Sequence, residues 1–337
     1  MPGFARKIGE AAMSAIGYGA MGISTAYGSV LPDEERMKVR RALPSGCTHW
    51  DTADVYGDSE ELIGKWLKKS GKRNGIFLAT KFGMVLGEPP LDGRRVCGDR
   101  EYAAKKLNES LRKLGVEHMD LWYLHRADKT VPIERTVPAM AEQVRQAGKV
   151  KYLGLSEVSA DTLRHAHPGV NPITALEVEY SAFTMDIDDD KTGLLKTACE
   201  LGVKVVAYSP VGRGLLTGAM VRMVRRTGGG IILPRFSEEN FPNVLKVVDS
   251  IKAIADKHSA TPGQVALAWL LAQGNDVLPI PGSTKPANIK ENMAAQDVEL
   301  SAEEVEEVRM LAVDADNTIG LRYPPGLAAL RHSSTEY

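Results

Sequence analysis

The chain has 337 residues, 43% hydrophobic and 25% charged, with 42 lysines and arginines against 43 aspartates and glutamates. This composition suits a globular protein with a large core, and the near-zero charge balance argues against nucleic acid or an anionic membrane as the main partner. Three widely spaced cysteines, Cys47, Cys97 and Cys199, offer no disulfide framework; with no signal-peptide core and no apolar run of about 18 residues, a cytoplasmic protein acting on a small molecule is expected.

In chain order, a first strand is expected at 15–22 (AIGYGAMG) and a second at 48–54 (THWDTAD), a run rich in β-branched and aromatic residues. Asp58 or Ser59 can then cap a helix with Leu62, Ile63, Trp66 and Leu67 on one face, Lys68 and Lys69 in its last turn and Gly71 as its stop. After a strand at 76–83, a second helix opens near Asp99, aligns Leu107, Leu111 and Leu114, and stops at Gly115. Strand-like runs recur at 119–126, 150–158, 174–181, 203–211 and 276–283, each preceded by helical spacing.

Eight such units fit a closed (β/α)8 TIM barrel better than an open doubly wound sheet. Gly17, Gly19 and Gly22 do not form the glycine fingerprint that usually follows the first strand of the open type. A short N-terminal hairpin and a C-terminal helical extension complete the expected architecture. No Pro- or Ser-rich linker divides residues 1–337, so a single domain is expected. The stretch 218–242, with Gly228 to Gly230 at its centre, reads as neither helix nor strand and is either a lid or a solvated basic loop. His165 and His167 fall near Pro168 in an expected loop, without a third ligand for a metal.

Four residues carry the chemistry: Asp51, Tyr56, Lys81 and His125 lie at or just past the ends of three successive strands. Each alone has an ordinary structural explanation. Together, a carboxylate, phenol, amine and imidazole at the catalytic end of a barrel read as a proton-transfer site. An ammonium beside Tyr56 should lower the phenol from its usual ~10, while His125 hydrogen-bonds a substrate oxygen or relays the proton.

The blocks DTADVYGDSEELIG from Asp51, ATKFG around Lys81, MDLWYLHR ending at Arg126, KVKYLGLSE ending at Glu157, AYSPVGRGLLTG from Ala207 and PIPGSTKPANIKEN from Pro279 resemble, in order, the signatures of the aldo-keto reductases, nearest to microbial and fungal members carrying DTADVYG. The resemblance implies NADPH-dependent reduction of a small carbonyl substrate, with Tyr56 as general acid assisted by Lys81 and Asp51, and His125 orienting the carbonyl. It places Gly19, Ala20, Met21 and Asp51 at the nicotinamide ribose, and Ser156, Glu157 and Glu177 at the carboxamide, with Tyr208 stacked on the ring. Ser209, Pro210, Val211, Gly212, Gly214 and Leu215 would wrap the pyrophosphate; Ile280, Gly282, Ser283, Lys285, Asn288, Glu291 and Asn292 would hold the adenosine end. Arg222, Arg225 and Arg226 of the expected lid are possible further contacts.

Three positions depart from the pattern: many members have Asn at Glu157, Gln at Glu177 and Arg at Asn288. The last favours NADPH over NADH less firmly, with Lys285 as a substitute charge. The first two put two acids beside one amide, and at least one is expected to hold a proton. Tyr18, Ala20, Phe82, Trp122 and Arg126 suggest an apolar, partly aromatic substrate cleft. The alternatives are a cofactor-binding regulatory subunit with little turnover, against which the intact tetrad argues, and an imine-forming isomerase or lyase, against which Asp51 argues. Oligomeric state is not legible.

Overall fold

A computed structural model describes residues 5–24, 31–42, 46–85, 95–168, 172–217 and 241–319. It opens with an antiparallel hairpin, β1 (Ala5–Ile8) and β2 (Ala11–Ser14). Eight strands follow: β3 (Tyr18–Gly19), β4 (His49–Asp51), β5 (Phe77–Phe82), β6 (Met119–Leu124), β7 (Val150–Ser156), β8 (Ile173–Glu179), β9 (Lys204–Tyr208) and β10 (Val277–Pro279). Neighbours in sequence are neighbours in the sheet, and every ladder is parallel.

The first and last strands meet. The Gly17 amide donates to the Pro279 carbonyl at 2.9 Å and the Gly19 amide to the Pro281 carbonyl at 3.4 Å, which gives the (β/α)8 barrel. This seam demands glycine: a Cβ on Gly19 would lie 2.7 Å from the Ile280 carbonyl oxygen, and one on Gly282 would lie 2.7 Å from that of Gly19. The strands are shorter than the apolar runs suggested, because several runs continue as loop past the last ladder bond.

Around the sheet lie α1 (Asp33–Ala42), α2 (Ser59–Ser70), α3 (Arg100–Leu114), α4 (Ile133–Ala147), α5 (Ala160–Ala166), α6 (Leu194–Glu200), α7 (Phe241–Lys257), α8 (Pro262–Ala272), α9 (Pro286–Met293) and the C-terminal α10 (Ala302–Ile319). Helices α2 and α3 stop where expected, at left-handed Gly71 and Gly115. Their starts differ from expectation. The Asp58 carboxylate turns to Arg36 of α1 at 2.6 Å, the Ser59 hydroxyl accepts from Thr52 at 2.8 Å, and neither Asp58 nor Asp99 caps through its side chain. His165 lies within α5 rather than in a loop. Of the expected lid, 218–240 lies outside the described residues, and with it Arg222, Arg225, Arg226 and the triple glycine. Phe241 and Pro242 open α7. Among the described residues no helix is long and apolar enough to cross a membrane.

Strand alternation sorts side chains into two cores. Phe77, Ala79, Leu121, Tyr123, Ala175, Val206, Leu278 and Ile280 fill the barrel, where Ile8 and Met13 of the hairpin join them. The opposite parity packs against the helices. Phe82 and Trp122, expected to line the substrate cleft, stack there with centroids 4.3 Å apart and are fully buried; Tyr18 is 1% exposed in the same cluster. These three aromatic rings are core, each worth about 1.5–3 kcal/mol by burial, because their neighbours in the strands are the residues that face inward.

Candidate active site

Asp51 ends β4, Lys81 is next to last in β5, and His125 directly follows β6. Tyr56 sits in the turn between β4 and α2, held by bonds from its amide to the Ala53 carbonyl (3.1 Å) and from the Asp54 amide to the Lys81 carbonyl (3.1 Å). The parallel ladders thus bring together the four residues singled out in the sequence. The Lys81 ammonium pairs with Asp51, donates to the Thr52 carbonyl at 2.9 Å, and lies 5.2 Å from the centre of the Tyr56 ring. The Tyr56 and His125 rings meet edge to face, 5.8 Å apart at 84°.

The electrostatics differ from the simple expectation for Tyr56. Although the residue as a whole is half-buried, desolvation in the barrel mouth pushes the phenol up to about 12. Lys81 pulls it down, while Glu177 and Asp51 push it further up. Burial holds His125 well below the ordinary histidine range, with Arg126 and Lys81 adding to the effect, so its imidazole is neutral. Burial alone would lower Lys81, but Asp51 and Glu177 outweigh it and keep the amine charged. Burial raises Asp51 against the pull of Lys81.

Below the turn, burial pushes the Asp54 carboxyl up to about 7, with Lys106 opposing and Glu60 assisting; the Lys106 ammonium is 3.6 Å away. A carboxyl raised in the folded state contributes stability at low pH that is lost as pH climbs through that value. We therefore expect Asp54→Asn to gain stability over the parent as pH rises from 5 to 7.5, by ~2–3 kcal/mol or about 4 °C in melting temperature, and to gain little more above. Thermal melts across that range check it.

The residues assigned to cofactor fall along the same rim. Ala20 is buried and its amide donates to the Asp51 carbonyl at 2.8 Å; Met21 opens a short 3-10 turn beyond Gly19. The Ser156 hydroxyl accepts from Arg126 at 3.1 Å. Glu157, at φ 55°, accepts from the Glu179 amide at 3.0 Å and from the Tyr208 hydroxyl at 2.8 Å. After β9, Ser209, Gly212, Arg213 and Gly214 all have positive φ, while Pro210 and Leu215 are buried and Val211 accepts from the Gly214 amide at 3.0 Å. Such left-handed turns shape backbone cradles for anions. Beyond β10, Ser283 receives the Lys285 amide at 3.1 Å, Lys285 and Asn288 are exposed and Asn292 half-buried. The Glu291 carboxylate is engaged by the Thr261 hydroxyl at 2.6 Å.

Sequence reasoning missed the partner of Glu177. Its carboxyl reaches Lys81, with Oε1 3.2 Å from the ammonium, and its acidic neighbour is Asp51 rather than Glu157. The available signal was the inward parity of β8, which places Glu177 two residues beyond the barrel-core Ala175.

The Aldo/keto reductase family model matches residues 15–312. Aldo-keto reductase str7 of Strobilurus tenacellus is 52% identical over 329 residues, covering 94% of each chain. Aldo-keto reductase yakc of Schizosaccharomyces pombe, whose name carries NADP(+), is 42% identical over 325 residues, covering 95% of this chain and 94% of that one. Among solved structures, the thermostable aldo-keto reductase Tm1743, in complex with the inhibitor epalrestat, shares 30% identity at a TM-score of 0.73, covering 91% of this chain and 99% of that one. The glycerol dehydrogenase AKR11B4 from Gluconobacter oxydans shares 27% at a TM-score of 0.79, covering 96% and 99%.

Proposed function

The chain belongs to the aldo/keto reductase family of NAD(P)H-dependent oxidoreductases, and from that premise we propose that it reduces an aldehyde or ketone to the alcohol with NADPH, Tyr56 giving the proton. The observation that carries this reading is the convergence at the barrel mouth on the Tyr56 ring, which lies 5.2 Å from the Lys81 ammonium and 5.8 Å from the His125 ring. A neutral His125 has no imidazolium proton to give, so it serves as a hydrogen-bonding group for the carbonyl oxygen. That leaves Tyr56 as the acid, protonated at neutral pH and beside a permanent ammonium that stabilises the phenolate it becomes.

The rim fits a dinucleotide by its own chemistry. The left-handed cradle at 209–214 suits a pyrophosphate, Lys285 supplies an exposed cation at the start of α9, and Ser156, Glu157 and Glu177 present polar groups where a carboxamide would lie. Bound there, a reduced nicotinamide supplies the hydride that no side chain can. Lys285 is the residue we assign to the 2′-phosphate in place of an arginine.

The test is oxidation of NADPH and NADH against a panel of aromatic and aliphatic carbonyl compounds. Turnover with NADPH supports the reductase; tight NADPH binding without turnover on any carbonyl would favour a regulatory subunit instead. Lys285→Ala should weaken NADPH binding roughly fivefold, ~1 kcal/mol, and leave NADH binding unchanged. Equal losses for both nucleotides would remove Lys285 from the phosphate.

A further inference from the structure

Glu177 is out of place for an ion pair. It is 3% exposed, on a strand that faces the barrel interior, and the ammonium it reaches at 3.2 Å already has Asp51 as its partner. Two carboxyl groups therefore bracket one cation in a site without bulk water. Among the described residues, Glu177 Oε2 and Asp51 Oδ2 have no other hydrogen-bond partner, and the two carboxyls interact side chain to side chain. Close carboxyl pairs keep one proton between them, because the second negative charge has no compensation.

The other titratable groups at this end of the barrel supply no such compensation. Tyr123 of β6 and Tyr56 of the turn are neutral phenols that its charge pushes upward. His49 of β4, pushed down to about 3 by burial, and His125 are neutral imidazoles. Arg126 is committed to the His125 carbonyl and Ser156. Across β7 to β9, Glu157 is turned to Tyr208, and Glu179 is paired with Arg213 at 3.7 Å.

We propose that Glu177 is a positioning residue that shares one proton with Asp51 around Lys81, and that loss of this proton sets the upper pH limit of carbonyl reduction. The inference rests on the reductase reading above. Protonated, Glu177 leaves Asp51 and Lys81 as a neutral pair, and Tyr56 is as strong an acid as the site permits. Ionised, it adds an unbalanced charge that makes the phenol hold its proton more tightly. Burial and the neighbouring Asp51 push the Glu177 carboxyl up to about 8, with Lys81 opposing. Activity should thus fall as pH rises through that region, in contrast to a glutamine at the same place, which mimics the protonated acid at every pH.

Two measurements test this. In the protein without cofactor, infrared difference spectra across pH 6–10 should show the stretch of a buried protonated carboxyl disappearing. Glu177→Gln should lack that band, and Asp51→Asn should move its midpoint downward by removing the like charge. In the loaded enzyme, the turnover number should fall about tenfold per unit above the transition, and Glu177→Gln should abolish that limb. An infrared spectrum with no protonated carboxyl, or one unchanged in Glu177→Gln, overturns the shared proton. Superimposable turnover profiles overturn its link to catalysis. A wild type that turns over no carbonyl defeats the reductase reading and the pH limit built on it, while the infrared band still decides the carboxyl pair. Should Glu177→Gln not fold, Asp51→Asn decides the pair by the direction in which the midpoint moves.

Discussion

Tyr56→Phe should lower the turnover number for carbonyl reduction by about 10²–10⁴-fold while NADPH binding stays within about twofold, as read by nucleotide fluorescence and steady-state kinetics. The substitution removes one oxygen and keeps the ring, so the edge-to-face contact with His125 and the approach of Lys81 both survive. What disappears is the O–H to which we assign protonation of the developing alkoxide. Neutral His125 cannot replace it, and the Lys81 ammonium is drawn away by Asp51 and the Thr52 carbonyl. Undiminished turnover in the variant would remove the phenol from its assigned role.

Lys81→Met should be the most damaging single change to stability. Methionine fills a similar volume, but it leaves Asp51 and Glu177 facing each other with no cation. Removing one member of a buried ion pair costs about 3–5 kcal/mol, and here two acids are orphaned. Both already sit above the ordinary carboxyl range, and losing the ammonium raises them further. The sign follows: the deficit is largest at pH 8 and shrinks as pH falls toward 5, because the folded variant then holds protons on these carboxyls that the unfolded chain, with carboxyls near ~4, does not. Urea melts at the two pH values check this. A deficit independent of pH would mean that lost packing, and not the stranded acids, accounts for the damage.

Much of this arrangement was legible one strand at a time. The alternation of helix and strand, the glycine stops at Gly71 and Gly115, and the placing of Asp51, Lys81 and His125 at strand ends all follow from local periodicity. Local pattern fails where the partner is distant in the chain. That Lys81 touches Glu177, 96 positions on, depends on three successive ladder registers from β5 to β8 and on which parity faces inward. The same parity removed Phe82 and Trp122 from the cleft, since each adjoins a residue that faces the barrel interior. Asp58 looked like a helix cap because its neighbours do; Arg36, on a different helix, claimed it. The net upward displacement of Tyr56 comes first from its burial in the folded barrel mouth and then from Glu177 and Asp51, against the pull of Lys81, none of which local pattern reveals.

The glycine seam has a temporal consequence. Gly282 follows Gly19 by 263 positions, so while that interval is synthesised the leading strand has no neighbour on one flank and presents its backbone to any passing strand. Contacts between residues so far apart are late and slow to form. The growing polypeptide therefore waits, open-edged, for the strand that closes the ring, and the left-handed turns at 209–214 and the phenol of Tyr56 come into register on one rim only when it shuts.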